Sequence, residues 1–175
     1  MAFQLRPRRG ALEAKTLWAA PPSPPSDPPV LYAELLRCPR RDREVAVSYL
    51  TRRGLPEDVA RSLGPAFLGD YRATAARFRA RFGVRALARA GLLSRRGHLL
   101  FYRHRILLPV RHEGRLVAVA GRSVDPVLRP ATLLPHGVAL PSDARKALVA
   151  LLERLREPPG LQAQLPLAFG APAAT

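Results

Sequence analysis

The sequence has little cysteine and no long apolar run. Cys38 is the only cysteine among 175 residues, so the chain forms no internal disulfide and no cysteine-based zinc site. Such a composition is typical of proteins in a reducing compartment. No apolar stretch approaches the roughly 18 residues of a membrane span, and none follows the N-terminal arginines as a signal peptide would require. We therefore expect a cytoplasmic protein with no membrane partner.

Acidic residues are also scarce, which leaves a strong positive charge. The chain has 13 acidic residues against 29 lysines and arginines, a formal net charge of +16, and only Lys15 and Lys146 are lysines. Such a charge favours a polyanionic partner, and nucleic acid is the first candidate. Arginine suits phosphate because its planar guanidinium donates two parallel hydrogen bonds. A GC-rich coding sequence would also enrich arginine, but it would not make acidic residues scarce.

Proline-rich stretches indicate where the folded part begins and ends. Residues 21–29 contain six prolines. Because proline lacks the amide donor and fixes φ, we interpret residues 1–29 as a disordered arm. Residues 158–175 combine prolines with small residues and are interpreted as a flexible tail. One domain is therefore expected over residues 31–157.

Helical patterns come first in this domain and β-compatible patterns follow. Helices bounded by caps, prolines or glycines are predicted at 42–54, 56–64, 72–82 and 84–90. Residues 98–111 and 116–120 are rich in branched and aromatic side chains and are joined through Gly114, which predicts an antiparallel hairpin. A final helix is predicted from Ser142 onward. We therefore expect a small single α+β domain with N-terminal helices, an antiparallel sheet and a C-terminal helix.

Most of the charge lies in and just before the predicted hairpin. Residues 72–122 contain thirteen arginines and one acidic residue. Five of these arginines lie on or beside the hairpin: Arg103, Arg105, Arg111, Arg115 and Arg122. Alternate residues of a strand share a face, so Arg103, Arg105 and Arg111 are expected to form one row, either along a phosphate backbone or on a solvated face. Tyr102 and His104 are expected on the opposite face, with Tyr102 stacking on a base or packing in the core.

Several short phrases stand in a defined order between residues 44 and 124. They are Tyr-Leu-Thr-Arg-Arg-Gly-Leu-Pro at 49–56, Leu-Gly at 63–64, Ala-Gly-Leu-Leu at 90–93, Tyr-Arg-His-Arg-Ile-Leu-Leu-Pro-Val at 102–110 and Gly-Arg-Leu-Val-Ala-Val-Ala-Gly-Arg at 114–122. In order and spacing they resemble the small N-terminal part of the catalytic core of bacterial replicative DNA primase. The resemblance implies that Arg103, Arg105 and the Gly121-Arg122 pair lie in a basic groove that binds template or nucleotide phosphate.

The sequence departs from that family in the segments that supply the family's active-site side chains and metal ligands. Residues 129–135 read Arg-Pro-Ala-Thr-Leu-Leu-Pro, whereas the family has Pro-Lys-Tyr-Leu-Asn-Ser-Pro, so Arg129 retains at most the lysine's charge. The family's zinc ribbon needs several cysteines, and its metal-binding TOPRIM half would begin near residue 157. Nucleotidyl transfer needs clustered carboxylates that hold magnesium ions, and no paired-aspartate motif follows Glu113. We therefore expect no catalytic residue, no metal site, no cofactor and no polymerisation by this chain alone.

A phrase near the C-terminus resembles the sliding-clamp-binding peptide of bacterial replication and repair proteins. It reads Gln-Leu-Pro-Leu-Ala-Phe over 164–169. The resemblance implies that Leu165, Leu167 and Phe169 fill an apolar pocket of the clamp while Gln164 supplies hydrogen bonds. Alternatively, this apolar segment packs back on the domain.

Our interpretation is a primase-derived, nucleic-acid-binding accessory protein of DNA replication that is not catalytic alone. Its DNA partner is single-stranded or a template–primer, and the predicted binding residues are Arg103, Arg105, Arg111, Arg115, Arg122 and Arg129. Two alternatives remain. The chain is a subunit of a split primase whose TOPRIM part lies on a separate chain, or it is a protein adaptor that binds the sliding clamp. Weak, salt-insensitive DNA binding would favour the adaptor.

Overall fold

The computed structural model describes residues 27–125 and 127–155. Its helices are α1 (Pro28–Leu36), α2 (Arg40–Arg52), α3 (Glu57–Ser62), α4 (Tyr71–Arg89) and α5 (Ser142–Arg154). Its strands are β1 (Ala66–Phe67), β2 (Ile106–His112), β3 (Arg115–Arg122) and β4 (Thr132–Leu133). They form one antiparallel sheet in the order β1-β2-β3-β4. The predicted α+β class, with helices first and a helix last, is confirmed.

Helix α1 has no counterpart among the predicted helices. Pro28 and Pro29, which we had assigned to the N-terminal arm, form its first turn. Proline is tolerated there because the first amides of a helix have no intrahelical partner. Leu31 and Leu35 are buried, and the buried hydroxyl of Tyr32 donates to a backbone carbonyl beyond the end of α4 (2.8 Å). Helix α1 is therefore an integral part of the core.

Helix α4 contains the break that the sequence predicts between residues 82 and 84. Gly83 has φ 73° and ψ 159°, which interrupts the helical backbone within Tyr71–Arg89. Before the break, Phe78 and Phe82 are buried with their ring centroids 5.3 Å apart. The helix begins at the cap Asp70, whose Oδ1 accepts a hydrogen bond from the amide of Ala73 (2.9 Å). Asp70 therefore fixes the N-terminal turn of α4.

The central hairpin is formed by β2 and β3, but it is shorter at its start than the sequence predicts. We expected the first strand from residue 98, whereas β2 begins at Ile106. Phe101 has φ 69°, a left-handed conformation that a strand does not contain, so the preceding segment is irregular. At the other end, Glu113 and Gly114 both have positive φ (50° and 75°), as a tight hairpin turn requires.

The core lies on both sides of this hairpin. Consecutive residues 106–108 of β2 and 118–120 of β3 are at most 1% exposed, so both faces of the central strands are covered. Helix α1 lies against β3, and α5 lies against β2. Within residues 27–125 and 127–155, no helix combines the length and apolar character needed to cross a membrane.

Candidate nucleic-acid interface

The hairpin arginines do not form the predicted single row. Arg103 and Arg105 precede β2, and a β-bulge interrupts the register between Val110 and Arg111. Arg111 therefore lies near the hairpin turn, on the order of 15–20 Å along the strand from its start. The expectation that alternate positions of one strand align these side chains is wrong, because only Arg111 belongs to the strand.

The structure instead distributes the arginines over two ends of the sheet. Arg111 and Arg115 flank the turn, together with Glu113, the single acidic residue of segment 72–122. At the opposite end Arg122 pairs with Ile106, the residue that follows Arg105. We call the end formed by residues 102–105, Arg122 and the loop residues 123–125 and 127–131 the open end of the sheet.

Arg122 is the most unusual residue of the open end. Its side chain is only 6% exposed, its Nη1 donates to Oγ1 of Thr132 (3.1 Å), and its Nε has no hydrogen-bond partner. No ion pair among the described residues includes it. Burial of a guanidinium without a compensating anion is costly. The described part of the chain therefore leaves a buried positive charge unbalanced.

Arg105 and Arg103 lie side by side in sequence but differ in environment. The Arg105 guanidinium donates to the carbonyls of Gly69 and Tyr102 (3.2 Å each). It also lies 5.9 Å from the centroid of the Tyr102 ring. Arg103 is exposed. Arg105 thus fixes the segment before β2, while the charge of Arg103 faces solvent.

The loop that carries Arg129 is held against this segment. His104 Nε2 donates to the carbonyl of Pro130 (2.7 Å), and the amide of Ser123 donates to the carbonyl of Ala131 (2.9 Å). Arg129 is exposed and directly precedes Pro130. The hydrogen bond of His104 therefore brings the neighbourhood of Arg129 to the open end. His104 itself is 5% exposed while Tyr102 is 57% exposed, so the prediction that they share a face is wrong.

Sequence reasoning missed several side chains that shape the open end. Tyr71 packs edge-on against Tyr102, with ring centroids 5.0 Å apart and an interplanar angle of 69°. The Tyr71 hydroxyl donates to the carbonyl of Leu99, and its pKa is raised mainly by burial. The Gly69-Asp70 pair before an arginine-rich helix was a cap signal that could have placed Tyr71 in the first turn. Nothing in the sequence indicates the contact of Thr132 with Arg122.

Other predicted features cannot be placed at this interface. The clamp-binding prediction rests on Gln164, Leu165, Leu167 and Phe169, which lie outside the described residues, as do residues 1–26 and the rest of 156–175. Over the two described ranges, no group of three or more His, Cys, Asp or Glu side chains is arranged to hold a metal ion.

Comparison with known protein families gives one match. The family model described as DNA primase catalytic core, N-terminal domain, matches residues 31–130. No curated protein and no solved structure matches the chain significantly. The matched range extends from α1 through β3 to the loop of Arg129, so it includes all six predicted binding arginines. The resemblance found in the sequence is thereby confirmed, and with it a primase-related role in DNA replication. The chain belongs to the family of DNA primase catalytic core N-terminal domains.

Proposed function

We propose that the chain is a nucleic-acid-binding accessory protein of DNA replication and that the open end of the sheet is its phosphate-binding surface. The residues that bind phosphate are Arg103, Arg105, Arg122 and Arg129. The proposal rests chiefly on the burial of Arg122 without a carboxylate partner among the described residues. A phosphate bound at the open end would supply the negative charge that Arg122 lacks among the described residues.

The energetics favour a phosphate at this position. A buried, unpaired guanidinium costs free energy in the unbound protein, and a charge-assisted hydrogen bond to an anion recovers it. Thr132 already orients the guanidinium through Nη1, so less side-chain entropy is lost on binding. The exposed Arg103 and Arg129 each contact a further phosphate of the strand in this proposal.

The two ends of the hairpin differ in how well they suit phosphate. At the turn, Arg111 donates to the carbonyl of Gly114 (3.4 Å), and Glu113 offsets part of the local positive charge. At the open end, the Arg122 guanidinium is buried and oriented. Arg111 and Arg115, which the sequence places among the binding residues, therefore contribute mainly long-range attraction in this proposal.

The test is fluorescence anisotropy of labelled single-stranded DNA as a function of salt concentration. Arg103→Ala/Arg129→Ala removes two exposed charges from the open end, and Arg111→Ala/Arg115→Ala removes two from the turn end as the matched control. Each phosphate contact contributes about 0.7 to the slope of log K against log salt for single strands. We expect the open-end variant to lower the slope by about 1.4 and the control to change it much less.

Two outcomes would contradict this assignment. If wild type binds weakly and without salt dependence, the chain is not a nucleic-acid-binding protein and the adaptor interpretation gains support. If both double variants lose the same affinity and slope, the binding reflects net charge alone and the open end is not a site.

We further propose that nucleotidyl transfer is not performed by this chain alone. The observation in favour is the absence of the family's Lys, Tyr and Asn from residues 129–135, where this sequence has Arg129 followed by apolar residues and Thr132. Primer synthesis on a single-stranded template should be absent with the purified chain. Primer synthesis by the purified chain would contradict this proposal. Primer synthesis only after a separate TOPRIM chain is added would favour the split-primase alternative over an accessory role.

A sliding clamp is proposed as a protein partner on the sequence of residues 164–169 alone. Leu167→Ala/Phe169→Ala removes two of the expected anchors, whereas Leu161→Ala removes an apolar side chain outside the motif. Titration calorimetry against purified bacterial clamp should show binding for wild type and Leu161→Ala and none for the double variant. Equal binding by all three would exclude this peptide as the contact.

A further inference from the structure

Beside the open end lies a cavity of about 510 Å³ between the start of α4 and the segment that precedes β2. Its volume falls within the range of small-molecule sites, roughly 300–1,000 Å³. Residues that line it include Tyr71, Arg72, Leu99, Tyr102, Arg103 and Leu133. None of its described lining residues is acidic. The cavity therefore combines aromatic and aliphatic walls with a cationic rim.

The aromatic wall is held in place from several directions. The hydroxyl of Tyr71 donates a hydrogen bond to the carbonyl of Leu99, and its ring packs edge-on against the Tyr102 ring. The Arg105 guanidinium lies near the Tyr102 ring and donates hydrogen bonds to the carbonyls of Tyr102 and Gly69. Tyr102 is nevertheless 57% exposed. An ordered, exposed ring is well suited to stack on a flat ligand, because little entropy is lost when the ligand binds.

The backbone at Phe101 produces this arrangement. Its positive φ is uncommon for a bulky residue, and its side chain is 1% exposed. The next buried residue is His104, so Tyr102 and Arg103 are two consecutive exposed side chains between two buried ones. A regular strand would have pointed one of them inward. Strained conformations of this kind concentrate at ligand-binding sites.

We propose that this cavity binds one nucleobase together with its attached phosphate, the base stacking on Tyr102 and the phosphate contacting Arg103 or Arg72. This inference rests on the proposed nucleic-acid binding and adds a base-binding site to it. A planar, uncharged ring suits the aromatic and aliphatic walls, and an attached anion suits the rim. The base comes either from a single strand, unstacked from its neighbours, or from a free nucleotide.

The test compares two single-stranded probes of equal length by anisotropy: oligothymidylate and the same phosphodiester chain with abasic sugars. Both carry the same phosphates, so their difference in affinity measures base binding alone. We expect wild type to prefer the base-bearing strand by about fivefold or more, the factor typical of one base stacked on an aromatic side chain. Tyr102→Phe should keep this preference, whereas Tyr102→Ala should abolish it and leave the salt dependence unchanged.

The outcomes separate this inference from the proposed function. If wild type binds neither probe, the proposed nucleic-acid binding fails, and this inference fails with it. If both probes bind equally well, or if Tyr102→Ala retains the preference, the phosphate site stands and the base site is wrong. Thymidine monophosphate as competitor distinguishes a free nucleotide from a base in a strand. If the competitor removes the preference for the base-bearing strand, the cavity also binds free nucleotides. If the preference persists, the cavity binds only a base within a strand. Unchanged melting temperatures of both variants would show that the fold is intact.

Discussion

The ring of Phe101 occupies the space that a side chain at position 121 would need. A Cβ atom built on Gly121 would overlap the Phe101 ring and approach the carbonyl oxygen of His104 closer than such contacts allow. Gly121 thus lets the segment before β2 lie directly on β3. This close approach brings Phe101 and His104 against the end of β3 that contains Arg122. The Gly121-Arg122 pair, noted in the sequence as a family phrase, therefore joins a glycine that close packing requires to a buried guanidinium.

Gly121→Ala is expected to destabilise the fold by about 1–3 kcal/mol, the usual cost of inserting a methyl group into a filled core. Urea unfolding followed by circular dichroism measures this change. Phe101→Leu in the same chain frees part of the space, so the double variant should lose less than the sum of the two single losses. Strict additivity would show that Phe101 does not limit the space at position 121.

Arg122→Met is expected to separate stability from binding. Methionine fills a similar volume without the buried charge, so stability should be unchanged or rise by roughly 1 kcal/mol. Single-stranded DNA binding should weaken at the same time, because the phosphate loses its buried partner. Thermal unfolding and anisotropy on the same preparations measure the two effects. A large loss of stability would mean that the charge of Arg122 is balanced within the protein itself.

The sequence allowed the fold to be predicted well where local signals were strong. The helix after Pro56, the break at Gly83 and the turn at Glu113-Gly114 all follow from proline, glycine and capping preferences. Helix α1 was missed because Pro28 and Pro29 continue the proline run before them. Its place in the core comes from the burial of Leu31, Tyr32 and Leu35, which depends on tertiary packing. Local sequence signals do not indicate which face of a helix or strand will be covered by other segments of the chain.

The candidate site was predictable in its residue types but not in its arrangement. A strand that began at residue 98 would place Arg103, Arg105 and Arg111 in one row. The positive φ of Phe101 interrupts the extended backbone, and β2 begins only at Ile106, after Arg103 and Arg105. The hydrogen bond from His104 to Pro130 joins residues 26 positions apart, which no local pattern can show. The environment of Arg122 likewise includes Thr132, ten positions further along the chain, whose hydroxyl accepts a hydrogen bond from the buried guanidinium.

Asp70→Ala is expected to cost about 1 kcal/mol, because the first turn of α4 loses its cap. Asp70→Asn is the matched control, since asparagine caps helices about as well and removes the charge alone. That first turn carries Tyr71 and Arg72, so the alanine variant should also weaken any preference for base-bearing over abasic strands. Thermal unfolding of the three proteins tests the stability part. If the asparagine variant loses as much as the alanine variant, the contribution is electrostatic rather than a hydrogen bond to Ala73.

The hydroxyl of Tyr71 should make stability fall at alkaline pH. Burial raises its pKa, Tyr102 raises it further, and Arg79 partly opposes both. The folded protein thus holds this proton more tightly than the unfolded chain does. The contribution to stability is therefore fully present below the ordinary tyrosine pKa of about 10 and is lost as pH rises through the raised pKa.

Tyr71→Phe removes this titration together with the hydrogen bond to Leu99. At neutral pH the variant should be less stable by about 1 kcal/mol, the usual net value of one hydrogen bond. Above about pH 10 its melting temperature should fall less steeply than that of wild type. Tyr32→Phe is a useful comparison, because burial also raises the pKa of Tyr32. Each variant should remove only the part of the alkaline fall in melting temperature that comes from its own tyrosine. Parallel curves for wild type and Tyr71→Phe would show that the Tyr71 hydroxyl titrates as it does in the unfolded chain, and that the wall of the cavity is open to water.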